Sequence, residues 1–579
     1  MAAFDMLTKI DEMCKKYDRK DYPGIAIGVV ENDELIFCKG YGVANLEYDI
    51  PIDGNTVFHV GSITKQFTAT CIALLIEEGK LSLDQDIRSI FPQIKDCGNK
   101  VTISNLLHMT NGLPDVYDTA NFVCGIRDDG NSNRNEFWKY VTACDWAFFK
   151  PGERWSYGNT GYYILGQIVE AVTKIPFSQY AEEHIFKPLG MNNTFIRDDY
   201  TKIIKNRAVG YSNYDYLHFN DSNERYCSRN DTLSINEHNV EGGGAGQLWT
   251  TVRDFYLWDK NLHNNILGKH PKELIEVLTT SGLLNDGKKC GYGYGLFIGD
   301  FHGNKLVHHG GLAGGYSAYY AQLPEKKLSV IVLANHTNLY HDIDLLNEDG
   351  GLTNSVLKLL IGYVGESDSK EENESAETNI NQVEFDLDLS GKYMDPISSC
   401  IWNIIKKNNT YYVEDYSGNS TKIYYYGDGV FKSVDKKKIY KVVKNDKHLL
   451  ECIQLLYGKI DRKFYPFCGE KIDDSELKVY EGSYYCEKIG VSYNVKIDND
   501  KLFISNENRH NNAVDLYYTP AIRDTFISVP NKYIPYYCMT FSRDSNNEII
   551  SFSYRDDEET LRENFVFVKM GNSLEMECK

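Results

Sequence analysis

Apolar and polar positions change period several times along the chain, and each change marks a different element. Pro23 to Lys39 predicts two strands joined by a turn at Asn32-Asp33. The segment after Ser62, QFTATCIALLIEEGK, is apolar on most faces from Phe67 to Ile76, which predicts a buried helix ended by Gly79. A second helix is predicted from about Thr160 to Thr173. Tyr316 to Gln322 and Leu328 to Ala334 predict strands joined at Pro324-Glu325-Lys326, and Leu352 to Tyr363 predicts a closing helix. Strands at both ends with helices between them imply an α+β fold: one antiparallel sheet built from the two ends, with helices packed on it.

The pattern then breaks. Glu366 to Asn381 is acidic, polar and nearly free of apolar residues, as expected of a solvated linker. From Val383 onward, short alternating runs of Tyr, Val, Ile and Phe are separated by Asn, Asp and Gly, the pattern of antiparallel β-structure. This region reads as a duplication. Leu389-Ser-Gly-Lys-Tyr393 recurs as Tyr480-Glu-Gly-Ser-Tyr484, an offset of 91 residues. The same offset carries Trp402 onto Tyr493, Ile404 onto Val495 and Tyr412-Val413 onto Phe503-Ile504. Hairpins are expected to turn at Asn408-Asn409 and Asn499-Asp500. The expected organisation is therefore 1–364, a linker over 365–382, and two small β-domains at 383–472 and 473–579, each a barrel or sandwich.

Composition narrows the function classes. A formal net charge of −20 over 579 residues argues against nucleic-acid binding and against adhesion to anionic membranes. No run of about 18 apolar residues occurs, and Met1 to Tyr17 does not resemble a signal peptide. The fourteen cysteines are scattered, with no C-x-x-C pair and no zinc-like spacing, so reduced thiols of a cytoplasmic protein are expected. No metal or organic cofactor is implied.

Three short motifs carry candidate chemistry. Ser62-Ile63-Thr64-Lys65 is an S-x-x-K. Ser355, Ser367, Ser433 and Ser475 also have Lys three residues on. Only Ser62 follows a Gly and opens a buried apolar helix, whose amide dipoles favour developing negative charge. A spacing of three puts both side chains on one face, where a desolvated amine can take the serine proton. Tyr157-Gly158-Asn159 follows a Pro151-Gly152 turn and precedes a helix. A tyrosine here suits proton relay to a leaving group, and Asn159 suits holding a substrate amide or the Lys65 amine. Tyr211-Ser212-Asn213 has the same pattern in a polar, irregular stretch. His309-Gly310-Gly311 runs through Leu312 and Gly315-Tyr316 into an apolar strand, whose edge suits an oxyanion. His308 leaves the register of that motif open by one residue.

These elements, in this order, resemble the penicillin-recognising serine hydrolases, above all class C β-lactamases and the related D-aminopeptidases, carboxylesterases and alkaline D-peptidases. The resemblance extends over residues 20 to 362 and includes Gly40–Ala44, Phe58–Ser62, Val101–Pro114, Pro151–Tyr157 and Leu323–Lys326. It implies a β-lactamase/transpeptidase-like catalytic domain in which Ser62 is acylated while Lys65 and Tyr157 share the proton traffic. It further implies that Asn159, His309 and Gly311 meet substrate, with the amides of Ser62 and Leu312 as oxyanion hole. Aligning Gly315-Tyr316 selects His309 over His308. A His where β-lactamases and transpeptidases usually have Lys shifts the expectation toward peptidase, amidase or esterase members. The two β-domains resemble the D-aminopeptidase arrangement, so a small-molecule or short-peptide substrate is expected, with homo-oligomer formation left open. The alternatives are a β-lactamase or carboxylesterase, and a catalytically silent scaffold with the same fold.

Overall fold

The computed structural model describes residues 3–119, 134–213, 233–237, 239, 243–345, 351–362, 387–394, 401–407, 410–414, 420–433, 438–445, 447, 449–457, 460–467, 474–498, 501–505, 516–522, 524–528, 538–555 and 566–570. The expected linker and the two expected hairpin tips lie outside these residues. The described chain divides into two compact units, one up to 362 and one from 387 on.

The first unit opens with α1 (Ala3–Cys14), followed by β1 (Ile25–Glu31) and β2 (Glu34–Tyr41). Asn32 and Asp33 both take positive φ, +51° and +66°, the backbone that a two-residue hairpin requires. Then come α2 (Thr64–Glu77), α3 (Thr160–Thr173) and α4 (Val252–His263). Four strands follow, β3 (Phe297–Phe301), β4 (Asn304–Ala313), β5 (Tyr316–Leu323) and β6 (Leu328–Ala334), before α5 (Leu352–Leu360). The six strands form one sheet in the order β3-β4-β5-β6-β1-β2. All its pairings are antiparallel, and β1 meets β6 with Ile25 opposite Ala334. The two ends of the unit therefore meet in mid-sheet, as the pattern of apolar runs predicts.

Every residue of β5 and β6 is buried, so both faces of the sheet are covered. On one face a core of Ile25, Ile27, Val29, Tyr319, Val330 and Val332 packs with Ile10 of α1 and Val356 and Leu357 of α5. Helix α2 is buried from Thr64 to Leu75, polar residues included. Its Gln66 takes a hydrogen bond from the Trp258 indole of α4 at 2.6 Å, and Phe67 packs on the same ring. Thr68 and Thr70 donate their hydroxyls to backbone carbonyls, at 2.7 Å each, which lets these polar residues be enclosed.

The second unit holds two closed barrels of eight antiparallel strands each, one from Gly391–Met394 to Ile460–Phe467 and one from Gly482–Cys486 to Val566–Lys569. The duplicated positions occupy equivalent places. Tyr393 pairs with Trp402 and Tyr484 with Tyr493, while Gly391 pairs with Ile404 and Gly482 with Val495. Tyr393 and Tyr484 each donate their hydroxyl to the carbonyl four residues back, at 2.8 and 2.7 Å. Inward rings fill both interiors, with Trp402 stacked on Phe464 in the first and Phe552 on Phe567 in the second. Among the described residues, no helix is long and apolar enough to cross a membrane.

Candidate active site

Ser62 lies in a 3-10 turn, Gly61–Ile63, that leads into α2; the sequence places it at the start of the helix itself, so the structure moves it just ahead. The turn is pinned from several sides. Thr64 donates its hydroxyl to the Gly61 carbonyl at 2.6 Å and accepts the Leu248 amide at 2.9 Å. The Gly61 amide donates to His59 Nδ1 at 3.1 Å, so that nitrogen carries no proton. Gly61 has φ +50° and sits against β4: a Cβ there would lie 2.6 Å from the Leu312 nitrogen. A Cβ on Gly311 would overlap the Val60 carbonyl and stand 3.4 Å from the Ser62 nitrogen. Two glycines thus bring the backbone amides of Ser62 and Leu312 side by side, and the Leu312 residue is 50% exposed there.

Lys65 is 0% exposed. Its Nζ reaches Ser62 Oγ at 2.8 Å, Asn159 Oδ1 at 2.8 Å and the Ala245 carbonyl at 2.9 Å. Burial pulls this amine down to about 7, against the charge of Asp115, which acts to raise it. A neutral amine has two hydrogens and one lone pair. The Ala245 carbonyl can only accept, and Asn159 presents its carbonyl oxygen, so these two take the hydrogens. The lone pair is left for the Ser62 hydroxyl.

Asn159 immediately precedes α3, and its backbone N–H donates to Asp115 Oδ2. The two roles foreseen for Asn159 were a substrate amide or the lysine; here its carbonyl oxygen holds the lysine. The Tyr157 ring lies 5.0 Å from Lys65 Nζ and parallel to Phe297. Although Tyr157 is 37% exposed, its phenol end is turned toward Ser62. Burial raises its pKa, more than the Ser62 hydrogen bond lowers it, so the phenol keeps its proton at neutral pH.

His309 is 1% exposed, and both ring nitrogens have protein partners. Nδ1 stands 2.5 Å from the Gly310 carbonyl and Nε2 lies 3.0 Å from the Tyr292 hydroxyl. The first partner accepts and the second can donate, which assigns the proton to Nδ1. Burial, with the Lys65 charge adding to it, holds His309 at about 3. The ring is neutral and forms part of the wall facing Lys65 and Tyr157. His308 bonds to Tyr319 and stacks on Phe297 instead. Tyr211, whose tripeptide mimics that of Tyr157, is buried in a two-residue strand and accepts the Leu46 amide.

The structure therefore brings Ser62, Lys65, Tyr157, Asn159 and His309 together, with Gly311 and Leu312 at the strand edge. Asp115, Tyr292 and the Ala245 carbonyl are participants that motif reading missed. Asp115 directly follows the Val101–Pro114 stretch quoted for the resemblance, but nothing local marks it. The other two join only through contacts across the fold.

The Beta-lactamase family model matches residues 10–349. A D-aminopeptidase of Gluconobacter oxydans is 26% identical over 314 residues, 54% of this chain and 56% of that protein. Protein flp of Staphylococcus aureus is 28% identical over 328 residues, 55% of this chain and 60% of that protein. The chain thus spans somewhat over half the length of the curated relatives it matches. Among solved structures, an octameric penicillin-binding protein homologue from Pyrococcus abyssi is 25% identical, with a TM-score of 0.53, over 80% of this chain and 100% of that one.

Proposed function

Because the chain belongs to the β-lactamase family, we propose that it is a serine hydrolase that forms an acyl-enzyme on Ser62 and acts on small amides or short peptides. The observation that carries the mechanism is the wholly buried Lys65 amine, 2.8 Å from Ser62 Oγ with its other two contacts on carbonyl oxygens. Lys65 takes the hydroxyl proton as Ser62 Oγ attacks the substrate carbonyl carbon. The amides of Ser62 and Leu312 hold the resulting oxyanion. Collapse breaks the bond to the leaving group, which receives a proton through Tyr157, itself reprotonated from Lys65. Water then adds to the ester carbonyl and Ser62 is released with its proton restored.

The neutral, enclosed His309 supports an amide or peptide substrate over one recognised through a carboxylate at that position, because it offers no positive charge. The D-aminopeptidase relative supports the same class. Cytoplasmic location and homo-oligomer formation are part of this proposal, the latter supported by the octameric neighbour.

The test is turnover of L- and D-aminoacyl amides and nitrophenyl esters by the wild-type protein and by Ser62→Ala, with fluorophosphonate labelling read by mass spectrometry. Turnover is expected to fall by about a thousandfold or more in the variant, with label only on Ser62. Full activity in Ser62→Ala would refute the mechanism.

A further inference from the structure

We propose that Asp115 is a positioning residue: by gripping the backbone of Asn159 it fixes the asparagine that holds the Lys65 amine against Ser62. This rests on the Ser62 mechanism above. Asp115 is 8% exposed. Its Oδ2 accepts the Asn159 amide and its Oδ1 accepts the Tyr117 amide at 2.8 Å. The preceding carbonyl, that of Pro114, accepts the Thr160 hydroxyl at 2.5 Å. Two consecutive residues of one loop thus clamp the two residues where α3 begins.

The consequence passes along one line of bonds. Asp115 holds the Asn159 backbone, Asn159 Oδ1 takes a hydrogen from Lys65 Nζ, and Nζ meets Ser62 Oγ. Without the clamp Asn159 can swing, and the amine loses one of the two acceptors that aim its lone pair. Asp115 also acts through space, since its charge favours the protonated form of Lys65 and opposes burial. The other groups facing Lys65 are the Tyr157 and Tyr162 rings, the Ala245 carbonyl and the neutral His309. Asp115 is the negative charge that acts on this amine.

Asp115→Asn removes the charge and keeps an acceptor for the Asn159 amide. The readouts are the pH dependence of the rate of Ser62 labelling by a fluorophosphonate and the kcat and KM for an ester. Labelling needs an assembled site, so its rate reports the folded molecules alone. The acid limb is expected to move to lower pH by about half a unit or more, because Lys65 then loses its proton more easily. Asp115→Ala, which has no acceptor for the Asn159 amide, is expected to lower kcat about tenfold below Asp115→Asn, with KM little changed. A labelled Asp115→Ala protein whose kcat equals that of Asp115→Asn overturns the proposal, whatever happens to the limb. If Asp115→Asn does not fold, Asp115→Ser, with a shorter neutral acceptor, is measured in the same way. Collapse of both overturns the proposal by making Asp115 a folding residue. A wild-type protein that is never labelled at Ser62 refutes the serine mechanism instead, a distinct outcome.

Discussion

Replacing Gly61 with Ala separates backbone geometry from side-chain chemistry at this site. The new Cβ would stand 2.6 Å from the Leu312 nitrogen, 3.0 Å from its carbonyl carbon and 2.8 Å from its oxygen. Ordinary contact needs roughly 3.4 Å, so β4 or the Ser62 turn must withdraw by about 0.8 Å, and close packing offers little slack. Both neighbours are backbone, so no rotamer change can absorb the shift. The φ of +50° adds about 1 kcal/mol of strain for a residue with a side chain. Displacing one oxyanion donor by that distance should cost most of its contribution, about a hundredfold in kcat or roughly 3 kcal/mol. The three atoms nearest the new Cβ all belong to the Leu312 backbone and none to Lys65, so the pH at which activity appears should stay put. The assay is steady-state ester hydrolysis across pH alongside a thermal melt, with Tm expected to drop by a few degrees. A Gly61→Ala enzyme that folds and turns over within about twofold of wild type would refute the idea that these two amides work as a pair.

Two further outcomes follow from the same geometry. With Lys65 held at about 7, and required as the neutral amine, kcat/KM should rise with pH and level off just above neutrality. Burial keeps the Tyr157 phenol protonated, so no alkaline loss is expected across the ordinary phenol range; a profile flat down to pH 5 would exclude Lys65 as the base. Tyr157→Phe keeps the ring against Phe297 and removes the relay. It should slow amides, whose leaving group needs a proton, by about a hundredfold more than activated esters; equal losses on both would count against a relay.

Much of the fold could be read from residues alone because the signals are local. The two-residue turn at Asn32-Asp33, the enclosed helix after Ser62 and the paired apolar strands at 316–334 each announce themselves within one short stretch of sequence. The β-repeat was legible for the same reason, since Tyr393 and Tyr484 recur with their partners Trp402 and Tyr493 in register. Barrel closure was not, because it depends on the first strand meeting the last, as Lys392 does Phe467. The site divides likewise. Ser62 and Lys65 are neighbours in sequence, but the state of the amine depends on Asn159 and Ala245, which the chain supplies 94 and 180 positions later. The silence of His309 depends on the Tyr292 hydroxyl, and Asp115 enters by reaching a backbone amide 44 residues away and by its charge on Lys65.

The seam between β1 and β6 bears on how the molecule is made. During synthesis Ile25 emerges early and must wait for Ala334 before the centre of the sheet can close. Leu312 itself is made 250 residues after Ser62 and finds its strand partner Ser317 within its own hairpin, so until that hairpin exists the hydroxyl at position 62 sits on a chain with no oxyanion pocket. A nascent chain that stops short of that hairpin is accordingly inert, whatever the state of Ser62 and Lys65.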